Sequence, residues 1–382
     1  MMTVDIIRSY VKNNTETMYQ LLKELCGITA PSLDEGRRAE FCKAWFDKEG
    51  FEGAYVDEAL NVILPINCEG SNAITALVAH TDTVFGDIEP FEYREEDDLA
   101  FCPGIGDDTA CLVAMMLTAK FFKENGIRPE GGILFIANSG EEGLGNLKGT
   151  RRIFKDYEGR IAQFVSFDSN TDIIIDRCVG SHRYEVTAIT RGGHSYNDFG
   201  NDNAIAVLSG IVTDIYSLKL PDTKRSTLTY NVGVIEGGTS VNTIAEMAKM
   251  LCEYRSDNAD LLDYMKGEFN RIFEKYNKDG VDISVRVVGE RPCERGVDAT
   301  RVAKMRDIAT DLIEEILGES PKYETGSTDC NIPLSIGVPA ICVGTFIGGG
   351  MHKRGEWLRK SSMIPGLEFA IRYMLSVTGA LK

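Results

Sequence analysis

The chain has 382 residues, of which 43% are hydrophobic and 26% charged. These are ordinary proportions for a globular protein of two or three domains with enough apolar surface for a sizeable core. Forty-one basic against 58 acidic residues leave a formal net charge of −17, which excludes nucleic acid and an anionic membrane surface as general partners. No stretch approaches the roughly 20 apolar residues that a membrane span needs. The opening MMTVDIIRSYVKNN carries Asp5 and Arg8 inside its apolar pattern, so it reads as a helix and not as a secretory leader. Ten cysteines, none in a C-x-x-C pair, argue against a thiolate zinc site and fit a reducing compartment. The expected location is the cytoplasm.

In chain order, helical periodicity runs over 5–27 and 35–48, and β-rich runs follow at 61–66 and 73–80. A helix is expected over 109–125, then strands at 131–138 and 161–168. Apolar strands alternating with helices predict a mostly parallel sheet covered on both faces. Near residue 180 the pattern changes to strand 184–191, helix 202–217, strands 226–236 and 245–255, helix 258–276 and strand 282–289. That βαββαβ order is the split-βαβ, ferredoxin-like arrangement. After about 294 the first style returns, with helix 300–317, strand 339–344 and a final helix 364–379. The expectation is a discontinuous α/β domain, 1–179 and 294–382, carrying an inserted α+β domain over 180–293.

Only four histidines are present, His80, His182, His194 and His352. His80 ends a strand and begins HTD, which places Asp82 where a carboxylate could orient a metal-bound imidazole; a strand-end histidine without a ligand role is the other reading. Asp107 and Asp108 open the helix after PGIG. Helix capping explains one aspartate but not two, and two negative charges are wrong for a phosphate loop. Glu141 and Glu142 follow strand 131–138 in NSGEEG, as an exposed acidic turn or as a ligand beside a general base. Asp168 closes strand 161–168, and His352 lies in the glycine-rich GGGMHKRGEW. Taken together, these residues all fall at the C-terminal side of the expected strands, where open α/β sheets bind ligands. Two imidazoles and several carboxylates suit a pair of borderline divalent cations, zinc above all.

With HTD, GDD, EEG, FDS and GGGMH in this order, the chain resembles the M20 family of metallopeptidases and deacylases over essentially its whole length. The resemblance implies a two-zinc site, with cobalt or manganese as alternatives. Asp107 would bridge both metals, with His80 and Asp168 on one and Glu142 and His352 on the other. It implies Asp82 as the residue orienting His80, and a cis peptide between Asp107 and Asp108. Glu141 would be the general base acting on a water held by the metals. In the inserted domain, RGGHS implies that His194 reaches a partner subunit's site to hold the carbonyl oxygen in a homodimer, and GGTSVN carries Asn242. By the same resemblance Asn242 and Arg255 bind substrate. His182 matches no motif and reads as structural or surface. The implied activity is hydrolysis of small peptides, or of N-acyl amino acids on the same machinery. Asp168 is the choice of the family's aminopeptidases, whereas its deacylases and carboxypeptidases typically have Glu there. Thr109 and Ala110 depart from the Lys and Gly usual after GDD, and the 82–107 segment is shorter than in the family's tripeptidases.

Overall fold

The structure, a computed structural model, describes residues 3–222 and 226–380. The chain divides into two compact units, Met1–Cys178 with Arg295–Lys382, and Val179–Glu294.

The first unit is built on an eight-stranded sheet in the order Tyr55–Val56, Val62–Ile66, Ile133–Asn138, Ile74–His80, Ile161–Phe167, Ala340–Val343, Ile173–Cys178, Lys322–Gly326. Ile74–His80 pairs in parallel with both of its neighbours, and Ile161–Phe167 also pairs in parallel with Ala340–Val343. The runs ITALVAH and ILFIAN are buried at every position, as strands covered on both faces must be. The helix Cys111–Glu124 is apolar nearly all round and lies in the core, which fits a helix enclosed by its neighbours. Helices Val4–Cys26 and Met363–Val377 pack against it. Tyr10 joins the first of these to it, with its hydroxyl donating to the Leu117 carbonyl at 2.8 Å and its ring edge-on to Phe121.

The second unit is a four-stranded antiparallel sheet in the order Leu228–Gly237, Met247–Ser256, Gly180–Thr190, Val281–Arg291. Two helices, Ala204–Tyr216 and Ala259–Tyr276, complete the βαββαβ order. Each begins at an asparagine, Asn203 or Asn258, whose side chain accepts two backbone N–H groups of the first turn. Along Met247–Ser256 the residues Ala248, Met250, Cys252 and Tyr254 are buried in alternation, which gives this sheet one core face.

The fold class is therefore the expected one, a mixed and mostly parallel α/β sheet with an inserted ferredoxin-like α+β unit. Several elements were not foreseen. The first strand of the inserted unit starts at Gly180 and not at 184. Its opening residues GSHR carry no apolar signal, yet they sit in mid-sheet, paired on both sides. The strand Lys322–Gly326 is polar and largely exposed at the sheet edge, so it lacks the apolar run that marks a strand. Among the described residues, no helix is long and apolar enough to cross a membrane.

Candidate metal centre

Parallel pairing brings the carboxyl ends of three strands to one edge of the sheet. His80 is the last residue of its strand and lies in register with Asn138, the last of the next. The Glu141–Glu142 turn follows Asn138, and Asp168 follows Phe167 directly. Asp107 and Asp108 lie in an irregular helical turn, Ile105–Ala110, leading into the helix Cys111–Glu124. The peptide bond between them is cis. His352 sits in a glycine-rich loop with φ of 63°, a left-handed conformation that a non-glycine residue keeps where its surroundings fix it.

Asp107 is the hub. Its Oδ1 lies 3.0 Å from His80 Nε2 and its Oδ2 lies 3.1 Å from His352 Nε2. Glu142 Oε1 is also 3.1 Å from His352 Nε2. Three sets of donor atoms each fall within 4.8 Å of one another: His80, Asp107 and Asp168; Asp107, Glu142 and His352; and His80, Glu141 and Glu142. On the far side of the His80 ring, Nδ1 lies 3.0 Å from the Asp82 carbonyl and 3.4 Å from its Oδ1. That arrangement places the ring proton on Nδ1 and leaves the Nε2 lone pair facing Asp107, where a metal could take it.

Buried carboxylates hold the backbone of this site. Asp82 accepts the N–H of Glu141 at 3.0 Å and of Glu142 at 2.9 Å, and the Ser32 hydroxyl at 2.7 Å. Asp108 Oδ2 accepts the His80 N–H at 2.8 Å. Glu356 accepts the N–H groups of Gly104, Gly106 and Asp107. Deeper, Asp329 accepts from Asn138 Nδ2 at 2.7 Å and from the Thr150 hydroxyl. Sequence reading missed Ser32, Glu356 and Asp329. They act on residues distant in the chain, and no local pattern marks them.

The electrostatics are those of a site built around positive charge. Burial, reinforced by the Asp107 charge, pushes the Asp168 carboxyl up to about 7. Burial also raises Glu142, against the opposing pull of His352. Asp107 is partly buried, but the His352 and His80 imidazoles overcome the burial and hold it well below the usual range. Hydrogen bonds to Asp107 and Glu142 raise His352 to about 10. So many acids together call for cations, and a set of two imidazoles and carboxylates fits zinc, cobalt or manganese. The residues present therefore fit a dinuclear metal group.

The sequence profile of Peptidase family M20/M25/M40 matches residues 76–376. The chain belongs to that family. It is accordingly a metal-dependent peptidase or amidohydrolase. It is 25% identical over 345 residues to a succinyl-diaminopimelate desuccinylase of Corynebacterium glutamicum, covering 88% of this chain and 90% of the relative. Among solved structures it resembles a tripeptidase of Staphylococcus aureus, with a TM-score of 0.76 at 20% identity over 96% of this chain and 99% of that one. It also resembles a dinuclear metal-binding M20 peptidase of Bacillus subtilis, with a TM-score of 0.67 at 14% identity, over 97% and 100% of the two chains.

The inserted unit of this M20 protein carries the other three candidates. His194 is exposed, and its Nδ1 accepts the N–H groups of Tyr196 and Asn197 at 3.2 and 3.4 Å. The short strands Gly193–His194 and Thr243–Ile244 pair, and the Ser195 N–H donates to the Asn242 carbonyl at 3.0 Å, so His194 and Asn242 are neighbours. Arg255 is at the opposite end of the long strand Met247–Ser256, where it forms a two-pronged ion pair with Glu253 at 2.9 and 3.1 Å. Eight residue-to-residue steps of extended strand, about 27 Å, separate Arg255 from Met247. Within this unit the three residues do not form one cluster. His182 is buried, with its Nδ1 2.6 Å from the Tyr254 hydroxyl, which is a structural role.

Proposed function

We propose that the protein is a di-zinc aminopeptidase that hydrolyses small peptides. The observation that carries this reading is the position of Asp107, with one carboxylate oxygen against each imidazole and with Asp168 and Glu142 in the two flanking donor sets. His80, Asp107 and Asp168 would hold one metal, and Asp107, Glu142 and His352 the other. Bound there, the metals would polarise the scissile carbonyl and acidify water. The remaining chemistry belongs to this chain. Glu141, its backbone fixed by Asp82, takes the proton of the attacking water on a carboxylate oxygen and returns it to the leaving amine. In this reading His194 of a second copy, beside Asn242, donates to the carbonyl oxygen as negative charge develops, so activity needs a homodimer. Arg255, held here by Glu253, would exchange that partner for a substrate carboxylate on its guanidinium fork. All ten cysteines are buried and free of disulfides, which supports a cytoplasmic enzyme.

Two things favour a peptidase: aspartate at position 168 and the likeness to a tripeptidase fold over nearly the full length of both chains. A second reading, hydrolysis of N-acyl amino acids, is favoured by the desuccinylase relative. The two separate on a matched pair of substrates given to zinc-loaded protein, a free-amine tripeptide and an N-succinyl amino acid. Cleavage of the tripeptide with the acylated compound untouched is expected. The reverse result would establish the deacylase instead.

A further inference from the structure

Glu356 lies four residues beyond His352 and is 1% exposed. Its carboxylate faces the loop that carries Asp107. Oε2 accepts the N–H of Gly104 at 2.7 Å, and Oε1 accepts those of Gly106 and Asp107 at 2.8 and 2.9 Å. The Glu356 carbonyl in turn accepts the N–H of Cys102 at 3.2 Å. One residue therefore closes the 102–107 segment onto the His352 loop by four hydrogen bonds, one of them to the backbone of Asp107 itself.

The loop is shaped to admit this carboxylate. A Cβ at Gly106 would lie 2.6 Å from the Phe346 ring and 3.2 Å from Glu356 Oε1, so only glycine allows the approach. Gly104 has φ of 74°, and a Cβ there would meet Thr83 Cγ2 at 2.5 Å. A buried carboxylate is costly unless it is well hydrogen-bonded, and removing it would leave three buried N–H groups without this acceptor.

Across the site Asp82 does the corresponding work, accepting the N–H groups of Glu141 and Glu142. The Asp107 carboxylate must present one oxygen to each imidazole, and a rotation of its backbone would withdraw one of them. We propose that Glu356 is a positioning residue that fixes Asp107 and His352 relative to each other, so that the donor set Asp107, Glu142 and His352 is held ready for its metal. This rests on the two-metal reading above.

The test is Glu356→Gln, which keeps size and shape. One amide oxygen can still accept from Gly106 and Asp107, but the amide nitrogen then faces the Gly104 N–H. Three readouts are taken on protein stripped of metal and reloaded: zinc affinity by competition with a chelator, melting temperature of the stripped form, and the absorption bands of the cobalt-loaded form. Positioning of this kind is expected to make one of two zinc equivalents bind roughly 10–100-fold more weakly and to shift the cobalt bands. Excess zinc should recover much of the lost turnover. A merely structural role would lower the melting temperature with affinities and cobalt spectrum unchanged, and that result overturns the proposal. Should the glutamine variant fail to fold, Glu356→Asp keeps the charge but is one methylene too short to reach all three N–H groups. An affinity for both zinc equivalents equal to the native protein's would then overturn it. A native protein that binds no metal would refute the two-metal reading instead.

Discussion

The backbone N–H of Glu141 donates to Asp82 Oδ1 at 3.0 Å. The same oxygen lies 3.4 Å from His80 Nδ1, so one buried carboxylate orients both the imidazole proposed as a ligand and the turn carrying the proposed base. In Asp82→Asn an amide nitrogen must face either a backbone N–H or the ring proton. Zinc affinity should fall roughly 10–100-fold, with a larger loss of turnover. Competition titration and steady-state kinetics check this; a variant with native affinity would mean that Asp82 does not orient His80.

Glu141→Gln removes a proton acceptor and leaves a group of the same size. Turnover should fall roughly 10²–10⁴-fold while metal content by elemental analysis stays at the native value. Near-native turnover would assign the base elsewhere.

Metal removal should be felt in stability as well as in activity. Without cations the site keeps Asp168 and Glu142 raised, by burial first and by the Asp107 charge after it, which marks carboxylates that resist ionising there. Zinc at about 1,000 times its dissociation constant would stabilise the fold by about 4 kcal/mol per site. At this chain length that is a rise of several degrees in the melting temperature, read by calorimetry before and after chelation. An unchanged transition would show that metal binding and folding are not linked.

His182 gives a pH signature outside the metal centre. Burial pushes its pKa below the ordinary value, against the pull of Glu290, and Tyr254 holds the ring in place. A histidine with a depressed folded pKa favours the neutral form. Its contribution is intact above the unfolded value of about 6.5 and is lost as pH falls below it. Melting temperatures at about pH 7.5 and pH 5 should therefore differ more for the native chain than for His182→Gln, whose side chain does not titrate. Equal pH dependence would show that His182 does not set the loss of stability at low pH.

Much of the site was legible because its chemistry is written in local acidic pairs. GDD and EEG each place two carboxylates where one would serve as a cap or turn, and both flank apolar runs whose ends could be placed. Apart from Asp82 and Asp108, the groups that hold the site were not legible. Glu356 contacts Asp107 across 249 positions of sequence, and Asp329 contacts Asn138 across 191. Each acts on backbone or amide groups that every sequence contains. Among the elements, the buried strands ITALVAH and ILFIAN announced themselves by composition. The edge strand Lys322–Gly326 is held by pairing with Ile173–Cys178 rather than by apolar burial, so composition was silent. His182 matched no motif because its role is to fill and bond within a sheet, which depends on Tyr254 across the strand pair.

The most direct test of the two-metal centre is anomalous scattering at the zinc edge from crystals grown with zinc. Two peaks sharing Asp107 are expected, one also contacting His80 and Asp168 and the other Glu142 and His352. A single peak, or zinc bound away from Asp107, would contradict the two-metal reading.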